Sequence, residues 1–169
     1  MKIIKETKRL YLAEATTKNA AFMLALLNSE GWLEFIGDRN VRTEAEAAKY
    51  LTDRVIKAYA EGFGMYNVIL KSTGEIIGMC GLVNRPTLKG IDIGFVFLPQ
   101  YMGKGYALES AQAVMAFAKN DLQLTEVLAI TTQNNVRSQK LLEKLGLTIT
   151  KSYTDSSDGS PMYLYKILH

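Results

Sequence analysis

The run IDIGFVFLPQYMGKGYALESAQAVMAFAKNDLQLTEVLAITT, residues 91–132, confines the fold more than any other stretch. Both ends are β-rich and apolar. Between them Ala107, Ala111, Val114, Met115, Ala118 and Leu122 recur three and four apart, which is one face of a helix. Strand, one-faced helix and strand make a βαβ unit, with parallel strands and a right-handed crossover. The connection into the helix opens on Pro99, which cannot extend a ladder, and holds Gly103 and Gly105 on either side of Lys104.

A loop in that place ends at a helix N-terminus, where free N–H groups and the positive end of the dipole face outward and hold phosphate. Gly103 and Gly105 let successive N–H groups converge on an anion, and Lys104 adds a mobile positive charge. Two better-known phosphate loops do not fit. The dinucleotide fingerprint needs a small residue where Leu108 stands, and the P-loop needs Ser or Thr where Gly105 follows Lys104. A glycine-rich turn that only reverses the chain is the alternative at this point.

The remaining pattern supplies partners for the unit. KRLYLAEAT (8–16) alternates like a strand, and Thr16 or Thr17 caps a helix from Ala20 to Leu27. EGWLEFIGDRNV reads as an apolar and aromatic connection, followed by an amphipathic helix from Thr43 that Gly62 stops. MYNVILK and EIIGMCGLV flank STG at 72–74 as a hairpin, and LTITKSY and PMYLYKIL flank TDSSDGS as another. NNVRSQKLLEKLG is a short helix with Asn135 as N-cap and Gly146 as C-cap. Antiparallel hairpins flanking one parallel pair give an α/β (α+β) fold with a mixed, mostly antiparallel sheet of about seven strands.

Composition narrows the chemistry. With 169 residues, 48% hydrophobic, and no repeat or linker, the chain reads as one domain over 1–169. No apolar run reaches the roughly 20 residues of a membrane helix, and MKIIKETKRL lacks a signal-peptide core, so a cytoplasmic protein is expected. The only histidine is His169, which disfavours a histidine triad or a metal site. The single cysteine, Cys80, sits in an apolar run and reads as core. A net charge of +3 without a basic run leaves no nucleic-acid footprint.

FVFLPQYMGKGYALES, with NNVRSQKLLEKLGL about thirty residues later, resembles the GNAT superfamily of acyl-CoA-dependent N-acyltransferases. TKRLYL, GWLEFIGDR and TGEIIGMCGL, in that order, extend the resemblance to the RimJ/RimL branch of ribosomal-protein N-terminal acetyltransferases. The resemblance implies a splayed central parallel pair with helices on both faces, and acetyl-CoA as cosubstrate without a metal. The family's loop motif, Gln or Arg, two residues, Gly, one residue, Gly or Ala, is set on Met102, Gly103, Lys104, Gly105, Tyr106 and Ala107, with methionine read at its first position. This loop takes the CoA pyrophosphate. The backbone of Phe97 and Leu98 borders the pantetheine arm, and Asn135 contacts it unless capping is its whole role.

The implied reaction moves acetyl from the thioester to a primary amine of a protein or peptide N-terminus or of a small molecule. Leu142 stands where many relatives carry a tyrosine acid, so Ser138 is the candidate acid, with the N3 position of a capped helix as its other reading. Asp92, opening the strand before the loop, is the candidate base acting through water, or else a solvated strand end. Trp32, Arg39 and Tyr66 are candidates for acceptor binding, with Phe35 and Ile36 assigned to the core and Tyr153, Tyr163 and Tyr165 to a further wall. The expected assembly is a monomer or homodimer. The competing class is an acyl-CoA-binding module without chemistry.

Overall fold

The computed structural model describes residues 1–169. Its strands are β1 (Ile3–Glu6), β2 (Leu10–Ala13), β3 (Met65–Leu70), β4 (Ile76–Asn84), β5 (Ile91–Phe97), β6 (Glu126–Thr132), β7 (Thr148–Thr154) and β8 (Pro161–Leu168). They form one sheet in the order β1-β2-β3-β4-β5-β6-β8-β7. Every neighbouring pair is antiparallel except β5 and β6, which are parallel. The sheet has one strand more than the sequence pattern implies. The extra strand is β1, a four-residue edge whose segment IIKE carries no clear alternation.

The parallel pair is joined at a single register point, Asp92 opposite Leu128. Along their full lengths β5 is zipped to β4 and β6 to β8. The two halves of the sheet therefore diverge beyond Asp92, leaving a wedge between the C-terminal ends of β5 and β6. Gly78 helps hold β5 to its outer neighbour. A Cβ there would lie 2.5 Å from the Val96 oxygen and 2.6 Å from the Phe97 ring, so only glycine lets the strands close.

Helices cover both faces. On one, α4 (Tyr106–Asn120) buries Ala111, Val114, Met115 and Ala118 against Leu12, Val68, Ile77 and Val127, with Leu142 of α5 (Val136–Lys144) in the same core. The alanines let the helix approach, while Val114 and Met115 each contribute about 1.5–3 kcal/mol of burial. On the other face α1 (Ala20–Leu27), α2 (Glu30–Phe35) and α3 (Glu44–Tyr50) enclose Met23, Leu26, Trp32, Leu51 and Met79.

Two local expectations change. GWLEF is helical rather than a connection, because Ser29 leads into the short α2. The helix from Thr43 is regular only to Tyr50; it then winds through a wider turn (Leu51–Val55) and a tighter one (Ile56–Glu61) before Gly62, at φ +89°, ends it. Its start is as read, since Thr43 accepts the Glu46 N–H at 3.2 Å and Glu46 accepts the Thr43 N–H at 3.0 Å. No helix is long and apolar enough to cross a membrane.

Candidate active site

The wedge opens onto the N-terminus of α4. Gly103 and Gly105 adopt φ of +74° and +80°, a region that glycine enters without penalty, and Gly105 caps the helix without a side chain. Within α4 the first turn closes with Glu109 donating to the Gly105 oxygen at 3.1 Å, and the backbone N–H groups of residues 103–108 have no acceptor in the protein. A Cβ on Gly103 would meet nothing within 4 Å, so the space over the loop is open. The loop thus presents a run of free main-chain N–H groups of the kind that can hold an anion.

Glu109, which could oppose an anion here, is turned aside. It accepts from the Thr7 hydroxyl at 2.6 Å, the Arg9 N–H at 2.8 Å and Arg9 Nε at 2.6 Å. Burial pushes its pKa up, but these donors together hold it below the usual carboxylate range. Arg9 also donates to the Lys104 oxygen at 3.0 Å and lies over the Tyr106 ring. Lys104, read as a mobile charge over the loop, rests as a solvated loop lysine. Its ammonium lies 5.7 Å from the Tyr101 ring centre, off the wall of the cavity that the wedge forms.

That cavity, about 1380 Å³, brings together Asp92, Phe97, Met102, Gly105, Asn135 and Ser138, with Gly103, Tyr106 and Ala107 completing the loop side. Leu98 is not on its wall: its N–H is donated to the Ile77 oxygen at 3.0 Å and its side chain packs toward α1–α3. Because successive strand residues address opposite neighbours, the peptide groups of Phe97 face the wedge while its ring is buried. Asn135 caps α5, its Oδ1 accepting the Ser138 N–H at 3.2 Å. The Asn135 amide nitrogen and the Ser138 hydroxyl have no protein partner.

Asp92 sits where β5 and β6 part, 1% exposed, with Arg85 Nε at 2.9 and 3.1 Å from its two oxygens. Burial pushes its pKa up to about 6 against the opposing charge of Arg85. Sequence reading missed Arg85. The signal was the β4–β5 register: Val83 faces Asp92, so Arg85 two residues on shares its face.

The acceptor side differs most from expectation. Tyr66 is withdrawn as a substrate contact: it is 2% exposed, stacked 5.6 Å from Tyr59 and edge-on to Phe117, away from the cavity. The tail tyrosines Tyr153, Tyr163 and Tyr165 are off the wall as well; the loop between β7 and β8, with Asp155 and Asp158, takes that place. Trp32 is core, 7% exposed, and its indole donates to the Gly37 oxygen at 3.1 Å, although it still borders the cavity. Ile36, assigned to the core, is 40% exposed, and both it and Phe35 line the wall. Arg39 is exposed on the same wall without an ion pair. Cys80 is fully buried, and burial pushes its thiol up to about 12, so it is inert core as read.

Residues 9–148 match the acetyltransferase (GNAT) domain family. The chain belongs to the GNAT family. Among its relatives is the N-acetyltransferase YjdG of Bacillus subtilis, 32% identical over 106 residues, which are 62% of this chain and 63% of YjdG. A GNAT-family acetyltransferase of Bacillus anthracis superposes with a TM-score of 0.82 at 22% identity, over 99% of this chain and 98% of its own. RimL, a ribosomal-protein alpha-N-acetyltransferase solved with coenzyme A, gives 0.84 at 19% identity over 99% of this chain and 98% of its own. These structures share the GNAT fold. The family motif also needs recounting here. By its own spacing it begins at Gln100, with Gly103 and Gly105 in the glycine places, so Met102 is no departure from it.

Proposed function

We propose that this GNAT domain transfers acetyl from acetyl-CoA to a primary amine by direct attack on the thioester, the acceptor being a protein or peptide N-terminus or a small-molecule amine. The observation that carries the reading is the wedge beyond Asp92 and Leu128, which ends on a run of unpartnered main-chain N–H groups. The diphosphate of CoA fits the cradle at Gly103 and Gly105, and the pantetheine arm fits beside the free peptide edge of Phe97.

The amine nitrogen bonds to the acetyl carbon as the carbon–sulfur bond breaks. Negative charge on the carbonyl oxygen is met by peptide N–H near Phe97. Five residue steps at about 3.3 Å each separate Phe97 from Asp92, so Asp92 takes the amine proton through ordered water rather than by contact. The Ser138 hydroxyl, free of protein partners on the wall, relays a proton from solvent water to the leaving thiolate and so keeps its own. A peptide N-terminus as acceptor is supported by the likeness in fold to RimL.

One observation favours the binding-module reading: Leu142, one turn past Ser138, is buried at 1% and offers no acid. Release of CoA thiol from acetyl-CoA against N-terminal peptides, amino acids, polyamines and aminoglycosides separates the two. Amine-dependent release establishes the transferase. Calorimetric binding of acetyl-CoA with no release for any acceptor favours the module.

A further inference from the structure

Three cations surround the cradle, and their commitments differ. Arg9 is held by Glu109, by the Lys104 oxygen and by the Tyr106 ring. Lys104 lies over Tyr101, off the cavity wall. Arg137, the second residue of α5, is exposed and lines the cavity beside Met102 and Gly103. No carboxylate lies within ion-pair distance of it. Its only side-chain hydrogen bond runs from Nη1 to the Met102 sulfur at 3.2 Å. A thioether is among the weakest acceptors in a protein, whereas a guanidinium pairs strongly with phosphate through parallel N–H bonds.

Met102 itself is fixed between two elements, its methyl 3.5 Å from where a Cβ on Gly31 of α2 would stand and its sulfur against α5. The sulfur therefore holds an unpaired guanidinium next to the cradle at little energetic cost of release. We propose that Arg137 exchanges the Met102 sulfur for the diphosphate of CoA, adding the one mobile side-chain cation to a cradle otherwise made of backbone N–H groups. This rests on the acyl-CoA reading above and assigns to Arg137 the role that the sequence suggests for Lys104. The adenosine 3′-phosphate is the other phosphate CoA offers, and dephospho-CoA, which lacks it, separates the two.

The test is calorimetric titration of the wild type, Arg137→Ala, Arg137→Lys and Lys104→Ala with CoA and with 3′-dephospho-CoA. Loss of one charge-assisted contact should weaken Arg137→Ala by about ten- to a hundred-fold. The loss should be equal for both ligands, smaller for Arg137→Lys, and diminished in high salt. Lys104→Ala should lose less than Arg137→Ala. Unchanged affinity in Arg137→Ala, or a loss seen with CoA alone, would overturn the assignment. Failure of the wild type to bind either ligand would instead overturn the acyl-CoA reading, and this inference with it.

Discussion

The two ends of the cavity are made of different material. At the α4 end the free polar groups are main-chain N–H groups presented by two left-handed glycines, and the nearby side chains Arg9 and Glu109 are tied to each other. At the other end, where the proposed acceptor would enter, the wall is side chain: Phe35, Ile36 and Arg39 from the α2 segment, Arg85 just past β4, Asp92 of β5, and Asp155 and Asp158 from the last hairpin. A main-chain cradle recognises a group common to every acyl-CoA and resists drift, because most substitutions leave backbone N–H groups in place. A side-chain wall can be rewritten residue by residue. Donor binding and acceptor choice should therefore respond to different mutations.

The sharpest break in that separation is Gly105→Val. A β-branched residue at φ +80° is strained by about 1–3 kcal/mol, and its Cβ would stand 3.3 Å from Arg9 Nη2. CoA affinity should fall by at least about a hundred-fold while the circular dichroism spectrum is kept; intact affinity would remove the cradle. Asp92→Asn should lower kcat/KM by about a hundred-fold at neutral pH with acetyl-CoA affinity retained. In the proposed mechanism Asp92 acts as the deprotonated base, so wild-type activity should rise with pH through about 6. Arg85→Gln should move that limb to higher pH, since burial then acts unopposed, and an unmoved limb would assign it to another group.

Ser138→Ala should reduce kcat by about ten-fold or more without changing acetyl-CoA affinity; an unchanged rate would leave Ser138 as a capping residue only. Ile36→Glu should shift KM among acceptors by up to about ten-fold, the low end of what one altered apolar contact is worth, and leave CoA binding untouched. An equal effect on CoA would show that the two ends are not separate. The smallest effect concerns stability. Folding raises the Asp92 pKa from 3.8 to about 6, so its stabilising contribution is full below about 4 and lost as pH rises through 6. Thermal melts from pH 4 to 7 should show a shallower decline in Asp92→Asn than in wild type.

The α4 unit was legible in the sequence because its signals are local. Apolar spacing along fifteen residues, glycines at the turn, and an asparagine before α5 each act within one or two turns of chain. The same holds for the hairpin turn at Gly74, with φ +75°. The acceptor wall was not legible, since its determinants are tertiary. A six-residue helix such as α2 is too short to show periodicity, so nothing local said that Trp32 faces inward and Ile36 outward. Tyr66 and Asn67 alternate along β3, yet both are buried, because Tyr66 packs on Phe117 of α4 while Asn67, on the other face, donates to Asn19 just before α1. The Arg85–Asp92 pair depends on a register across a loop, and Arg137 on the packing of α5 against the Met102 side chain.

The most direct test of the account is a 15N–1H titration of the protein with CoA. The amides of Gly103, Gly105, Tyr106 and Ala107 should shift first and furthest, with Phe97 at the wedge following. Shifts confined to the α2 segment and the β7–β8 loop, with the α4 N-terminus silent, would contradict it.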